Sequence, residues 1–202
     1  MILDLCDQLL KELELAKSPL PLYFQAGISR HTVDDLLGKS NVEISLPDEV
    51  YAFYQWRNGL DDDTVNSKAS GEVQLFTLAA FTSLKMSIQN YHSPDLRDFS
   101  SKGLFPLFDS FVGEFYFIDT NDKSDTYKMI IFYSLSNPYI QHTASIFDSL
   151  ETCLITIAEC YRKRAYYYVP GLSYLEIQPK LEISIWENNN PNSEYYKIIR
   201  NS

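Results

Sequence analysis

The sequence predicts an α+β fold, a twisted antiparallel sheet of about four to six strands packed by N-terminal helices and by one long helix after the sheet. Three observations carry this. Near the N-terminus Ile2, Leu5, Leu9 and Leu13 recur at helical spacing. Three short runs rich in Phe, Tyr and Ile, at 104–109, 113–119 and 128–134, are separated by Ser/Gly and Asp/Asn/Ser clusters, as in an antiparallel meander. Then Ile146, Leu150, Leu154, Ile157, Tyr161 and Ala165 keep helical spacing over one long segment.

Residues 2–17 read as an amphipathic helix, widened by Leu3, Cys6 and Leu10 and ended by Ser18-Pro19 and Pro21. A connector over 22–28 follows. Thr32 to Asp35 has the form of a capping box for a short helix ending near Leu37-Gly38, with Leu36 and Leu37 docked on the core. The next helix, over 47–57, has both ends marked. Pro47 suits the first turn, Asp48 and Glu49 complement the positive end of the helix dipole, and Asn58-Gly59 can supply a left-handed closing residue. Its apolar face is Val50, Phe53 and Tyr54. Trp56, with Tyr51 and Tyr54 nearby, is read as core in preference to a binding anchor.

From Asp61-Asp62-Asp63 to Gly71 the chain is polar, acidic and aperiodic, which predicts an exposed loop. Val73 to Leu78 reads as a strand, and Phe81, Leu84, Met86 and Ile88 as a short helix stopping before Ser93-Pro94. In the meander, residues 129–133 are apolar on both faces, which predicts the middle strand. Pro138 to His142 suggests an edge strand. Ser145 to Asp148 reads as the capping box of the long helix, with Arg162, Lys163 and Arg164 at its C-terminal end. The tail admits two readings: Leu181, Ile183 and Ile185 alternate as a strand would, yet Pro179 can open a helix, and helix is preferred. Asn190-Pro191 then resembles the start of a last short helix through Ile199.

Composition sets the functional limits. Apolar residues at 45% and charged residues at 22% fit a packed globular protein. The net charge of −10 is concentrated between 41 and 125, where 14 acidic residues face 6 basic ones. A field of that sign disfavours nucleic acid and anionic lipid; it either attracts a basic protein or serves solubility alone. Cys6, Cys153 and Cys160 form neither a metal motif nor an even disulfide set, which fits a reducing compartment. The first residues carry no basic n-region, Asp4 and Asp7 interrupt the early apolar positions, and no run approaches a membrane span. The expectation is a cytoplasmic protein without membrane contact.

Catalytic and metal-binding patterns are not found. His31, His92 and His142 show no paired spacing, and no nucleophile elbow or phosphate loop is present among only seven glycines. Asp119-Thr-Asn121-Asp-Lys123-Ser-Asp125 has the alternation of a calcium loop but places Lys123, Ser124 and Ile130 where an oxygen ligand, Gly and Glu are needed. It reads as a solvated turn. Neither a cofactor nor a metal is expected. An enzymatic site would have to be assembled from scattered carboxylates such as Glu114 and Asp119.

Leu46-Pro47, Tyr54, Trp56 and Asn58-Gly59, then Phe105-Pro-Leu-Phe108 with Gly113-Glu-Phe-Tyr116, then Ser145-Ile-Phe-Asp-Ser149-Leu150, stand in an order that resembles the SUKH superfamily. That superfamily includes Smi/Knr-type fungal cell-wall regulators and bacterial toxin-immunity proteins. The resemblance covers about 30–170 and departs after Leu60 and after Val169. It implies a Smi/Knr-like domain over 41–169, with a helical extension at 1–40 and a C-terminal extension at 170–202 packed on the same domain. It also implies a non-catalytic protein-binding role, as an immunity protein against a toxin or as a regulatory scaffold binding several host proteins. The candidate partner-binding residues for a basic toxin domain are Asp61, Asp62, Asp63, Asp119, Asp122 and Asp125, and the motif residues Leu46 to Gly59 are expected to be structural.

Overall fold

The computed structural model describes residues 1–77, 79–134, 143–169 and 174–200. The meander is present as β2 (Leu104–Asp109), β3 (Glu114–Asp119) and β4 (Ile130–Ser134), with β1 (Ala80–Phe81) outside β2 and β5 (Ala144–Phe147) outside β4. Every pairing is antiparallel. The middle strand is therefore β3, not the 129–133 segment. That segment is apolar on both faces because both faces are covered: Ile130 and Phe132 enter the main core, while Ile131 joins Leu96, Leu104 and Phe117 in a second cluster. A 3-10 turn (Pro94–Leu96) and α7 (Arg97–Ser100) supply that cover. Two-sided apolarity reports cover, and a strand next to the centre can have as much of it as the centre.

The main core lies on the opposite face, under α1 (Ile2–Leu15), α3 (Asp48–Trp56) and α8 (Leu150–Arg162). α1 buries Ile2, Cys6, Leu9 and Leu13, one per turn, against α8 and α3. α8 starts later than expected. Ser145 to Asp148 lies largely in β5, and the true capping box is Ser149 with Thr152, whose side chains each accept from the other's backbone N–H. All three cysteines are fully buried; burial lifts the Cys6 and Cys160 thiols to about 12 and raises Cys153 as well.

α2 (Arg30–Lys39) begins earlier than its sequence pattern suggested, because Ser29 and not Thr32 is the cap: Ser29 Oγ accepts from the Thr32 N–H at 3.1 Å. In α3, Val50, Phe53 and Tyr54 are buried as expected, and the Phe53 ring stacks on Phe81 at 4.0 Å between centroids. The helix does not close through a left-handed residue. Arg57 is extended, at φ −150° and ψ 146°, and Gly59, at φ 60°, serves a different purpose beyond the helix. Its backbone lies so close to the next segment that a Cβ would sit 2.5 Å from the Thr82 carbonyl.

The acidic stretch after Leu60 is not a structureless loop. Asp61 caps α4 (Asp62–Ser67), and α5 (Ser70–Val73) follows. The strand expected at 73–78 is displaced: Val73 ends α5, Phe76 and Ala79 pair only as an isolated bridge, and the strand proper is β1. α6 (Leu84–Tyr91) is capped by Ser83 and ends before Ser93-Pro94. Of the tail, a hairpin of β6 (Tyr166–Tyr168) and β7 (Leu175–Ile177) leads into α9 (Pro179–Asn189), which settles the helix reading. Asn190 closes α9 and does not open α10 (Tyr195–Arg200). The edge strand suggested at 138–142 lies outside the described residues.

Phe53, fully buried among Phe81, Phe108 and Trp56, makes a direct test of the core. Phe53→Ala is expected to lower stability by about 3–5 kcal/mol in a denaturant titration, and a loss under about 1 kcal/mol would contradict the packing.

Candidate partner-binding site

The six acidic residues singled out from the sequence divide into three roles. Asp61 is committed locally: its Oδ1 accepts from the Thr64 N–H at 2.8 Å and its Oδ2 from Gln25 Nε2 at 3.0 Å. The Thr64 hydroxyl and N–H, with Gln25, hold its carboxyl below the ordinary carboxylate range. Asp119 is also committed, being buried with Oδ1 accepting from the Asn121 N–H and Oδ2 from the Thr126 hydroxyl. Asp63, Asp122 and Asp125 are exposed, and Asp62 is half-buried with only a long, 3.9 Å pair to Lys85.

The two acidic segments are not gathered into one patch. Lys128, just past the 119–125 turn, donates to Glu49 at 2.8 Å at the start of α3, whereas Asp61 follows the end of that helix. The helix that separates them is nine residues, about 13 Å, long. The 119–125 turn instead meets Glu43: Asp122, Glu43, Lys102 and Tyr127 share an open groove of about 420 Å³.

The motif residues sit inside. Leu46, Tyr54 and Trp56 are 3%, 0% and 6% exposed, and the Tyr54 hydroxyl meets Ser87 Oγ at 3.0 Å. Phe24 and Phe53 flank the Trp56 ring, which agrees with its reading as core. Pro47 is buried at the head of α3, and Asn58 and Gly59 bond to Gln25 beyond its end.

Glu114 and Asp119 do not converge. They lie at opposite ends of β3 and on alternate faces of it, Glu114 with Tyr116 and Asp119 with Phe117. His31 is exposed, the exposed His92 ring meets the Ser40 carbonyl at 2.7 Å, and His142 is outside the described residues. Among the described residues no group of three or more His, Cys, Asp or Glu is placed to hold a metal ion, and no helix is long and apolar enough to cross a membrane.

A second site was not legible in the sequence. Between β3, β5, α9 and α10 lies a cavity of about 240 Å³, lined by Thr77, Tyr116, Glu182, Trp186, Tyr195 and Tyr196. Glu182 Oε1 accepts from the Thr77 hydroxyl and, at 2.7 Å, from the Tyr166 hydroxyl, which in turn accepts from Trp186 Nε1 at 3.0 Å. Burial raises the Glu182 carboxyl above its ordinary value. The signal available was the four-residue spacing of Glu182 and Trp186 with Tyr195-Tyr196 beyond. It carries meaning only once the tail is known to fold back on the sheet.

A five-stranded antiparallel sheet, entered through an aromatic helix and joined by acidic turns, defines an α+β domain. The chain belongs to the SMI1 / KNR4 family (SUKH-1), whose family model matches residues 39–155, more than half of its length. A search of curated proteins gives no match. The matched residues take in α3, the whole sheet and the start of α8; α1, α9 and α10 lie outside them.

The capping geometry separates Asp61 from its neighbours in a measurable way. Asp61→Ala is expected to cost about 0.5–2 kcal/mol near neutral pH, against under about 0.5 kcal/mol for Asp63→Ala. A lowered carboxyl pKa contributes stability that is present above the unfolded-state value and disappears as pH falls through the folded one. The Asp61→Ala penalty should therefore shrink on acidification to about pH 2, as read by denaturation at both pH values.

Proposed function

We propose that this chain is a non-catalytic protein-binding domain that neutralises a cognate toxin by direct binding in the cytoplasm. The action is steric occlusion, with the acidic surface steering a basic face of the toxin into place. What supports this reading is the coincidence of family and charge. The family includes toxin-immunity proteins alongside Smi/Knr-type regulators, and the matched segment carries most of the excess acidity, with Asp63, Asp122 and Asp125 exposed. The binding unit of the proposal is 41–169, with 1–40 and 170–202 as extensions packed on it.

The structure refines which residues belong in the test. Asp61 and Asp119 hold backbone turns, so replacing them mixes folding with binding. Asp62, Asp63, Asp122 and Asp125 do not share that role.

Co-expression of the C-terminal domain encoded by the neighbouring upstream reading frame, with and without this chain, tests the proposal in cells. Rescue of growth supports it; a harmless neighbour transfers the reading to a regulatory scaffold with several moderate partners. For a toxin so identified, changing Asp62, Asp63, Asp122 and Asp125 together to Ala should slow association several-fold and flatten its salt dependence. An unchanged on-rate would remove the acidic segments from the mechanism.

A further inference from the structure

We infer that the cavity between β3, β5, α9 and α10 receives a basic side chain of a protein partner, arginine in preference to lysine. Its walls are aromatic on several sides. Tyr116, Trp186, Tyr195 and Tyr196 line it, with the Trp186 and Tyr196 rings at 81° and the Tyr195 and Tyr196 rings at 84° to one another, so that rings in nearly perpendicular planes surround one space. Such an arrangement attracts a cation through the ring quadrupoles.

The floor is acidic and lacks a counter-ion. Glu182 is 9% exposed, its Oε1 is taken by Thr77 and Tyr166, and its second oxygen makes no hydrogen bond among the described residues. Close by, Glu114 has its Oε2 buried without a hydrogen-bond partner among them. Neither carboxylate has a lysine or arginine within 4.0 Å among the described residues. Both act on the same ring: burial, then Glu114, then Glu182 lift the Tyr195 hydroxyl to about 12. Buried carboxylates are ordinarily paired, because leaving one uncompensated costs free energy. Glu182, buried in an aromatic-walled cavity, with the half-buried Glu114 on the same face of β3 as Tyr116, describes a site completed by a cation from outside.

The chemistry of the walls selects the kind of cation. Hard metal ions need about six oxygen ligands, and rings and methyl groups replace most of these here. Guanidinium is planar, weakly hydrated, able to stack on rings and able to bond carboxylates through several N–H groups. Space is sufficient, since about 240 Å³ exceeds the 150 Å³ or so that admits benzene into an apolar cavity. The cavity also reaches the surface: Ile183, among its lining residues, is 39% exposed. Glu182, Trp186, Tyr195 and Tyr196 all lie beyond residue 155, outside the family-matched segment, so this anchor belongs to the chain's own tail. The inference rests on the protein-binding reading for the source of the side chain.

The experiment is an NMR titration of the whole protein with N-acetyl-arginine amide, N-acetyl-lysine amide, the neutral N-acetyl-norleucine amide and tetramethylammonium chloride. The chain has two tryptophans, so Trp186 reports the cavity while Trp56, packed between Phe24 and Phe53, is an internal control. The arginine amide should shift the Trp186 indole signal saturably and leave Trp56 in place; the lysine amide should bind more weakly and the norleucine amide not at all. Glu182→Gln and Glu114→Gln should each weaken arginine binding about tenfold while leaving the thermal midpoint unchanged or higher, since the amide removes an uncompensated charge. If one variant fails to fold, the other makes the same comparison.

Equal shifts from the norleucine amide, or unchanged binding in the Gln variants, would reduce the site to an apolar cavity and overturn the inference. Tighter binding of tetramethylammonium would make it a small-molecule site instead, and no saturable shift with any of the four would retire it. None of these arms uses a toxin. A failed titration therefore leaves the proposed function standing, and a harmless neighbouring gene leaves the titration result standing.

Discussion

The close approach of the backbone at Gly59 to the backbone at Thr82 is the constraint on which the remaining arrangement depends. It lets the chain leaving α3 bond in two directions at once. Leu60 N–H reaches the Phe81 carbonyl and Ser83 N–H the Leu60 carbonyl, while Gln25 N–H takes the Gly59 carbonyl. Asn58 completes the junction with its side chain, donating to Gln25 and accepting from the Leu84 N–H. One short segment thereby fixes α3 against β1, sets the start of α6 and holds the connector after α1. The stack of Phe53 on Phe81 follows from that geometry, because both rings belong to elements the junction aligns. A side chain at residue 59 would force these apart.

Much of the fold is legible in the sequence wherever one physical signal acts alone. The amphipathic stripe of Ile2, Cys6, Leu9 and Leu13 specifies a helix and its buried face with no competing pattern, and the turn clusters around Ser110 and Asn121 separate the meander strands cleanly. Reading becomes unreliable where two signals have the same form. Ser145 to Asp148 and Ser149 to Thr152 are both plausible capping boxes, and the choice is made by β4, which recruits 144–147 as a strand. Asp61 likewise reads as surface charge until Thr64 and Gln25 are seen to need it. The aromatic cavity was out of reach for another reason: its residues come from 77 to 196, and no local pattern records that α9 and α10 fold back beside β3 and β5.

Charge in this molecule is handled differently at the two ends of the chain. In the family-matched segment acids are consumed by turns, as at Asp61 and Asp119, left on the surface, as at Asp63, Asp122 and Asp125, or half-buried, as at Glu114. In the tail a carboxylate is drawn inward, with Glu182 held by Thr77 and Tyr166 beneath a roof of rings. The surface charges act at range and with little geometric demand, whereas the buried one acts only on a group that enters. On the proposed reading, a domain that combines the two would use the first for capture and the second for discrimination.

The burial of all three thiols has a practical corollary. Cys6, Cys153 and Cys160 are shut off from solvent, and the desolvation that raises their pKa values suppresses the thiolate through which alkylating reagents and oxidants react. The native chain is accordingly a silent background for maleimide chemistry. A single cysteine installed on an exposed turn would be the one addressable position in the folded protein, ready to carry a fluorophore or spin label with no prior removal of the native cysteines.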